Sequence, residues 1–127
     1  MGLDIFFRRV KKGKDPHSKQ LFSSTDVYVR KNNWLLPFFN YGENLSAKEI
    51  TKDDIDRFVN TVDEICKSNS RVLAASEKLP VRDGFFFGST SYDEDYFKAI
   101  KNNARRLKTL ASHTDFDKQS IYMICWW

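Results

Sequence analysis

Basic side chains are concentrated in the segment RRVKKGKDPHSK, residues 8–19, and in a second group at residues 105–108. Lysine and arginine neutralise backbone phosphates and release counterions, so these side chains predict weak, sequence-independent binding of nucleic acid. The candidate contact residues are Arg8, Arg9, Lys11, Lys12, Lys14, Arg105 and Arg106. A solvated strand end and loop is the competing interpretation, and it is the more common one for such a charge run. Neither a helix-turn-helix glycine pattern nor an RNP-like aromatic strand predicts sequence specificity.

Carboxylates and histidines offer a second chemistry, acid–base catalysis or metal binding. Asp93, Glu94 and Asp95 are adjacent, and the segment HTDFD, residues 113–117, alternates a histidine with two aspartates. Such groups can hold Mg²⁺ or relay a proton. Capping of helix amides explains the three acids more simply, and His113 would complement a helix C-terminus. Catalysis is therefore the least favoured function, and we predict neither a metal nor a cofactor.

Nucleophiles lack the neighbours that would activate them. Ser89, Thr90 and Ser91 do not form a G-x-S-x-G elbow. Cys66 falls on the apolar stripe of a predicted helix and Cys125 falls in a predicted buried strand, so both thiols are expected to be inert. The two cysteines also lack zinc-ligand spacing and suit a reducing compartment. The first ten residues do not form a signal peptide and no apolar run reaches membrane-spanning length, so we expect a cytoplasmic protein without membrane contact.

Aromatic residues make up 15% of the chain, with eleven Phe, five Tyr and three Trp. Most of these rings must form the core, but a few left on the surface would mark a site for a protein partner, because aromatics dominate binding hot spots. The candidate partner-binding residues are Phe85, Phe86, Phe87, Tyr92, Trp126 and Trp127. An extended Phe triplet would point its first and third rings to one side and its middle ring to the other. The pattern leaves open which side belongs to the core.

Apolar residues at helical spacing predict four helices to position these groups. The clearest follows Thr51, a helix cap, and runs to about Asn69; a shorter helix follows it and ends at Pro80. Ser91 and Glu94 have the spacing of a capping box for a helix that continues to about residue 112. The fourth helix is predicted at residues 25–36.

Alternating apolar residues predict a strand at each end of the chain, at residues 2–10 and 119–126. Pairing of these strands would form a small antiparallel sheet. Formal charge is +5 over residues 1–31, −5 over residues 41–95 and +4 over residues 96–127. The pairing would therefore bring two basic segments together and create a positive face.

Four stretches of the sequence resemble a family of small uncharacterised proteins of phages, prophages and other bacterial mobile elements. They are MGLDIFFRRVKK at the start, YVRKNNWL at residues 28–35, GFFFGSTSYDEDYF at residues 84–97 and CWW at the end. The resemblance spans most of the chain and brings no known activity with it. It implies an accessory protein of a phage or mobile element. Interference with a host protein or a defence system is one function that such a protein can have.

These observations predict a single α+β domain over residues 1–127, with about four helices packed on a small antiparallel sheet formed by the N- and C-terminal strands. The favoured function is non-enzymatic binding of a protein partner. Weak, sequence-independent binding of nucleic acid through the basic residues is the alternative, and a metal-dependent enzyme is the third possibility. The pattern does not predict an oligomeric state.

Overall fold

The computed structural model describes residues 2–17, 26–84 and 87–127. In chain order its elements are strand β1 (Asp4–Lys11), strand β2 (Val27–Arg30), helix α1 (Leu35–Phe38), strand β3 (Ala47–Ile50), helix α2 (Lys52–Lys67), helix α3 (Arg71–Lys78), helix α4 (Glu94–Ser112) and strand β4 (Gln119–Trp126). Within the described ranges, four helices accompany one four-stranded antiparallel sheet of order β2-β1-β4-β3. The predicted α+β class is confirmed. No helix in this part of the chain is long and apolar enough to cross a membrane.

The two terminal strands pair at the centre of the sheet, as the alternation predicted. The register between β1 and β4 runs from the pair Asp4 and Trp126 to the pair Lys11 and Gln119. Strands β2 and β3, which the sequence pattern did not predict, add one edge each. Because the terminal strands lie between these edges, both form hydrogen bonds along both of their sides.

The helix predicted at residues 25–36 is wrong. Val27 and Val29 are buried while Tyr28 and Arg30 are exposed, which is the period-two pattern of a strand packed on one face. Only the four residues of α1 are helical, and Pro37 lies in the first turn, where backbone N–H groups have no intrahelical partner. Residue 25, where this helix was predicted to begin, lies outside the described residues.

The other three predicted helices are present, with one correction at a helix start. The Thr51 side chain and the Asp54 side chain cap the N-terminus of α2 reciprocally, in a capping box. Helix α4 begins two residues later than the spacing of Ser91 and Glu94 suggested. Its N-cap is Asp93, whose carboxylate accepts a hydrogen bond from the Tyr96 amide. A carboxylate next to the free amides and the positive end of the helix dipole explains the difference.

Helices α2 and α4 form the main core with one face of the sheet. The two central strands bury Ile5, Phe7, Ile121, Met123 and Cys125 on this face, and Leu3, just before β1, joins them. The matching stripes of the two helices are Ile55, Phe58, Val62, Ile65, Tyr96, Phe97, Ile100, Ala104, Leu107 and Leu110. The apolar stripes of the helices, at three- and four-residue spacing, thus pack on the apolar face of the strands, at two-residue spacing. Burial of these side chains supplies the main stabilising free energy.

The opposite face of the sheet is also partly covered. Phe6 is fully buried there, and the Arg8 guanidinium donates a hydrogen bond to the Pro16 carbonyl at 2.8 Å. Farther along the same loop, His17 Nε2 lies 2.7 Å from the Leu45 carbonyl, which precedes β3. The loop that follows β1 therefore extends across this face from the β1 side to the β3 side.

A fully buried amide holds the segment that contains the Phe triplet. Asn33 is 0% exposed, and its Nδ2 donates to the carbonyls of Phe87 and Ser89 at 3.1 and 3.0 Å. Its Oδ1 accepts a hydrogen bond from the Arg82 amide at 3.0 Å. One side chain thus fixes both ends of the segment from 82 to 89, and Gly84 closes it by accepting a hydrogen bond from the Phe87 amide.

Replacement of Asn33 by alanine is expected to lower the free energy of unfolding by about 2–4 kcal/mol, because one amide and two carbonyls lose their partner in a buried site. Urea denaturation monitored by circular dichroism measures the change. The matched control is Asn60→Ala on the exposed face of α2, which we expect to change stability by less than about 0.5 kcal/mol. Equal effects of the two substitutions would contradict the role given to Asn33.

Candidate nucleic-acid interface

A cleft of about 290 Å³ lies between the β1–β2 edge of the sheet and the C-terminal half of α4. Its lining residues are Arg9, Asp26, Val27, Arg105, Arg106, Thr109, Leu110 and His113. The structure therefore brings together three of the seven basic residues that were predicted to contact nucleic acid. These three arginines come from opposite ends of the sequence.

Local periodicity explains why these side chains converge. Arg9 follows Phe7 by two positions on β1, so it continues the face of the strand that packs against the helices. On α4, Arg105, Thr109 and His113 are four residues apart and follow one side of the helix. This side of α4 faces the sheet edge at the point where the apolar core ends.

Three guanidinium groups face one carboxylate, so the lining has a formal charge of +2 with His113 neutral. Arg9 Nη2 lies 3.9 Å from the Asp26 carboxylate, and Arg9 Nη1 donates a hydrogen bond to the His113 carbonyl. Arg106 Nη1 donates to the Tyr28 carbonyl on β2 at 3.0 Å. Two of the arginines thus bridge the sheet and the helix while keeping most of their donors for another partner.

Arg105 has a different environment. Its Nη2 donates to Asn102 Oδ1 at 2.7 Å, within the same helix, and among the described residues no hydrogen bond or ion pair joins this side chain to another element. The side chain is exposed at the rim of the cleft. Its charge can therefore be changed with little effect on the fold.

His113 lies at the C-terminal end of α4 with its ring orientation set by a carbonyl. Its Nδ1 lies 2.9 Å from the Thr109 carbonyl, and since a carbonyl only accepts, Nδ1 carries the proton. Nε2 is then the ring atom that remains for a ligand. The histidine was considered as a catalytic group from sequence, but the structure places it among arginines.

The remaining predicted basic residues take different positions. Lys11 and Lys12 follow Arg9 at the end of β1, where the Lys12 amide donates to the Lys118 carbonyl of the connection into β4. Lys14 lies in the next turn, its amide bonded to the Lys11 carbonyl. Arg8 lies on the other face of the sheet, 5% exposed under the loop that contains Pro16, and does not line the cleft.

Of the four aromatic candidates in the described residues, one is buried, two are partly buried and one is exposed. The Phe87 ring is buried, edge-on to Trp127 at 5.5 Å between centroids. Tyr92 is partly buried, and its hydroxyl accepts a hydrogen bond from the Val81 amide. Trp126, in contrast, is 42% exposed. Phe85 and Phe86 lie outside the described residues.

The exposed Trp126 has an exposed apolar neighbour. Leu45 is 46% exposed, and its amide donates to the carbonyl of Cys125, the residue before Trp126. Leu45 also adopts a backbone φ of 64°, a left-handed conformation that is unfavourable for a leucine. Sequence reasoning missed this residue, because neither its type nor its spacing signals an unusual backbone conformation.

The acidic candidates act within the fold. Asp93 caps α4, and the Glu94 carboxylate lies 4.0 Å from the Arg71 guanidinium. Asp115 accepts a hydrogen bond from the Asp117 amide in the turn that follows α4. In the described ranges, no group of three His, Cys, Asp or Glu side chains is arranged to hold a metal ion.

Cys125 is fully buried at the centre of the sheet, and burial raises the pKa of its thiol well above the usual range, while the charge of Arg82 opposes this rise. The thiolate is the reactive form, so this environment disfavours nucleophilic chemistry. Ser89 Oγ accepts a hydrogen bond from the Ser91 amide, an arrangement of a local turn. The nucleophiles considered from sequence therefore lie apart from the cleft.

In a Cys66→Ser variant, we expect alkylation of Cys125 at pH 8 to be more than about tenfold slower in the native protein than in urea, because burial excludes the reagent and disfavours the thiolate. Mass spectrometry of timed iodoacetamide reactions measures both rates. Equal rates in the two conditions, with the fold intact by circular dichroism, would show that the thiol is accessible.

No family model, no curated protein and no solved structure matches this chain. Its function is therefore inferred from the chemistry of its own side chains. The arginine cleft, defined here by Arg9, Arg105 and Arg106 with Asp26, Thr109 and His113, is the feature in which predicted site residues from separate elements meet.

Proposed function

We propose that the protein binds nucleic acid without sequence preference, by holding backbone phosphate in the arginine cleft. The observation that carries this proposal is the convergence of Arg9, Arg105 and Arg106 on one cleft with a net positive lining. Arginine is well suited to this task because its planar guanidinium offers paired N–H donors to two phosphate oxygens. Such contacts fix the position of a strand but carry no sequence information.

The composition of the lining supports binding without sequence preference. Among the described residues, the cleft contains no Phe, Tyr or Trp ring on which a base could stack. Base stacking and base-edge hydrogen bonds are the usual sources of affinity and specificity for single strands. With guanidinium groups as the main donors, the affinity must come mostly from phosphate.

The surroundings extend the positive charge beyond the cleft. Lys11 and Lys12 continue from Arg9 along β1, and Lys108 lies on the next turn of α4 after Arg105. The formal charge of the whole chain is +4. A strand that leaves the cleft would therefore meet further cations, which favours association with a polyanion.

The proposal predicts a shallow but definite salt dependence of binding. For a fluorescent single strand of about 20 nucleotides, the logarithm of the binding constant should fall with the logarithm of salt concentration with a slope of about −1.4, because a lining with a net charge of +2 neutralises two phosphates. Arg105→Gln should weaken binding about 5–10-fold at low salt and make the slope less negative by about 0.7. Fluorescence anisotropy across a salt series measures both quantities.

Lys67→Gln is the matched control, because it removes the same charge at the C-terminal end of α2, where Lys67 pairs with Asp63. Its effect on affinity should be less than about twofold, because Lys67 does not line the cleft and its exposed charge is paired with Asp63. Binding that is absent at low salt, or that responds equally to the two substitutions, would contradict a role for the cleft.

A protein partner is the second candidate, and the exposed pair of Leu45 and Trp126 favours it. Both side chains are apolar and about half exposed, and the Leu45 amide donates to the carbonyl of the residue before Trp126. The other described Trp residues are largely packed. A strained backbone such as that of Leu45 tends to be retained where a particular side-chain position is needed. In this proposal the protein is a non-enzymatic, cytoplasmic accessory protein of a phage or mobile element, as the sequence resemblance implies.

Trp126→Ser tests this second candidate, and Leu73→Ser on the exposed side of α3 is its control. A bacterial protein captured by the wild type should be retained by Leu73→Ser and lost by Trp126→Ser. The complex should survive nuclease treatment and about 0.5 M salt, because an apolar contact is not screened. Quantitative mass spectrometry of the captured proteins measures the difference, and identical sets from all three proteins would rule out this surface.

A further inference from the structure

We propose that the arginine cleft prefers a terminal phosphomonoester, so that the protein recognises a phosphorylated end of a nucleic-acid strand. This inference rests on the proposed function and names the group that the cleft selects. An internal phosphodiester and a terminal phosphomonoester differ in charge and in the number of free oxygens. They also differ in how the nucleic-acid strand leaves the cleft: on both sides of an internal phosphate, but on one side of a terminal phosphate. Each of these differences can be compared with the cleft.

Charge is the first difference. The cleft lining combines three arginines with Asp26, for a formal charge of +2. An internal phosphodiester carries one negative charge, whereas a phosphomonoester carries about 1.5 to 2 at neutral pH. The dianion matches the lining, while a single phosphodiester would leave one positive charge uncompensated.

The number of free phosphate oxygens is the second difference, and it can be compared with the number of N–H donors in the cleft. Arg105 and Arg106 are consecutive on α4, and one N–H of each is committed among the described residues, to Asn102 and to the Tyr28 carbonyl. Each guanidinium offers five N–H groups, so several remain for a ligand. A phosphomonoester presents three terminal oxygens, which can accept from two guanidinium groups and from a third donor at once.

The space that the nucleic-acid strand needs is the third difference, and side chains that bridge the cleft restrict this space. Arg9 joins β1 to the His113 carbonyl, and Arg106 joins α4 to the Tyr28 carbonyl, so side chains connect sheet and helix at two points of the lining. An internal phosphate needs room for the strand on both sides. A strand end needs one exit, which a cleft of about 290 Å³ with two bridges accommodates more easily.

The C-terminal end of α4 would by itself oppose an anion, because the helix dipole places partial negative charge there. Arg9 removes much of this obstacle, since its Nη1 donates to the His113 carbonyl, one of the exposed groups at that end. The Arg9 guanidinium, which pairs with a carbonyl at the end of the helix, therefore also makes the adjacent space suitable for phosphate.

The test compares strands of one sequence that carry a phosphate or a hydroxyl at the 5′ end, and the same pair for the 3′ end. Fluorescence anisotropy with the full chain at fixed salt gives the four affinities. We expect one phosphorylated end to bind at least about tenfold more tightly than its hydroxyl counterpart, because it adds charge and two charge-assisted hydrogen bonds. Arg105→Gln should remove most of this preference, and Lys67→Gln should leave it unchanged.

A nucleoside monophosphate, added alone, distinguishes a strand end from a small ligand of the same chemistry. Its weak binding, together with a strong end preference, supports the inference. Binding as tight as that of the phosphorylated strand would assign the cleft to a free nucleotide and overturn end recognition.

The other outcomes separate the inference from the proposed function. Equal, salt-dependent binding of phosphorylated and hydroxyl ends would overturn end recognition and leave the nucleic-acid proposal in place. An end preference that Arg105→Gln does not alter would place the phosphate outside the cleft and also overturn the inference. Absence of binding to every strand would overturn both.

Discussion

The antiparallel pairing of the two terminal strands is the constraint on which the rest of the structure depends. The pair from Lys11 to Gln119 places the end of β1 beside the start of β4. Only the turn at residues 113–118 separates β4 from α4, so the C-terminal end of the helix must also lie there. Arg9 and His113 are 104 positions apart in sequence and become neighbours for this reason. The cleft is thus a consequence of topology and not of a local motif.

A second set of contacts holds the polypeptide between the terminal strands. Asn33 binds backbone groups of the segment from 82 to 89, and the next residue, Trp34, donates from its indole nitrogen to Asn103 on α4 at 2.9 Å. Asn103 in turn donates to Asn32 at 2.8 Å. Paired polar groups in and beside the core favour one arrangement, because an alternative packing would leave several of them unsatisfied. The aromatic segment is therefore positioned by amides as much as by apolar burial.

The sequence predicted those helices and strands in which the spacing of the apolar residues matches the face that is buried in the fold. Both terminal strands and the helices α2 and α4 are of this kind, since each presents an apolar face to the core. Helix α3 was also predicted, although Ala75 is its one buried residue. The prediction failed at residues 25–36, where the spacing of Trp34 and Leu35 extends a helical stripe back to Val27. In the fold, Val27 pairs with Phe7, and this non-local contact outweighs local propensity. Asp26 escaped notice as a cleft residue for a similar reason, because only the sheet edge brings it beside Arg9.

The sheet edge at β2 is partly blocked against the addition of a further strand. An open edge strand can bind a partner by adding a strand, through unpaired carbonyls and amides. Here the Tyr28 carbonyl accepts from Arg106, and the Arg30 carbonyl accepts from Asn32 at 2.8 Å. Side chains thus occupy acceptors that a β-strand partner would need. Arg106 occupies one acceptor of this edge and also lines the cleft, so the residue that obstructs strand addition also adds positive charge to the cleft lining.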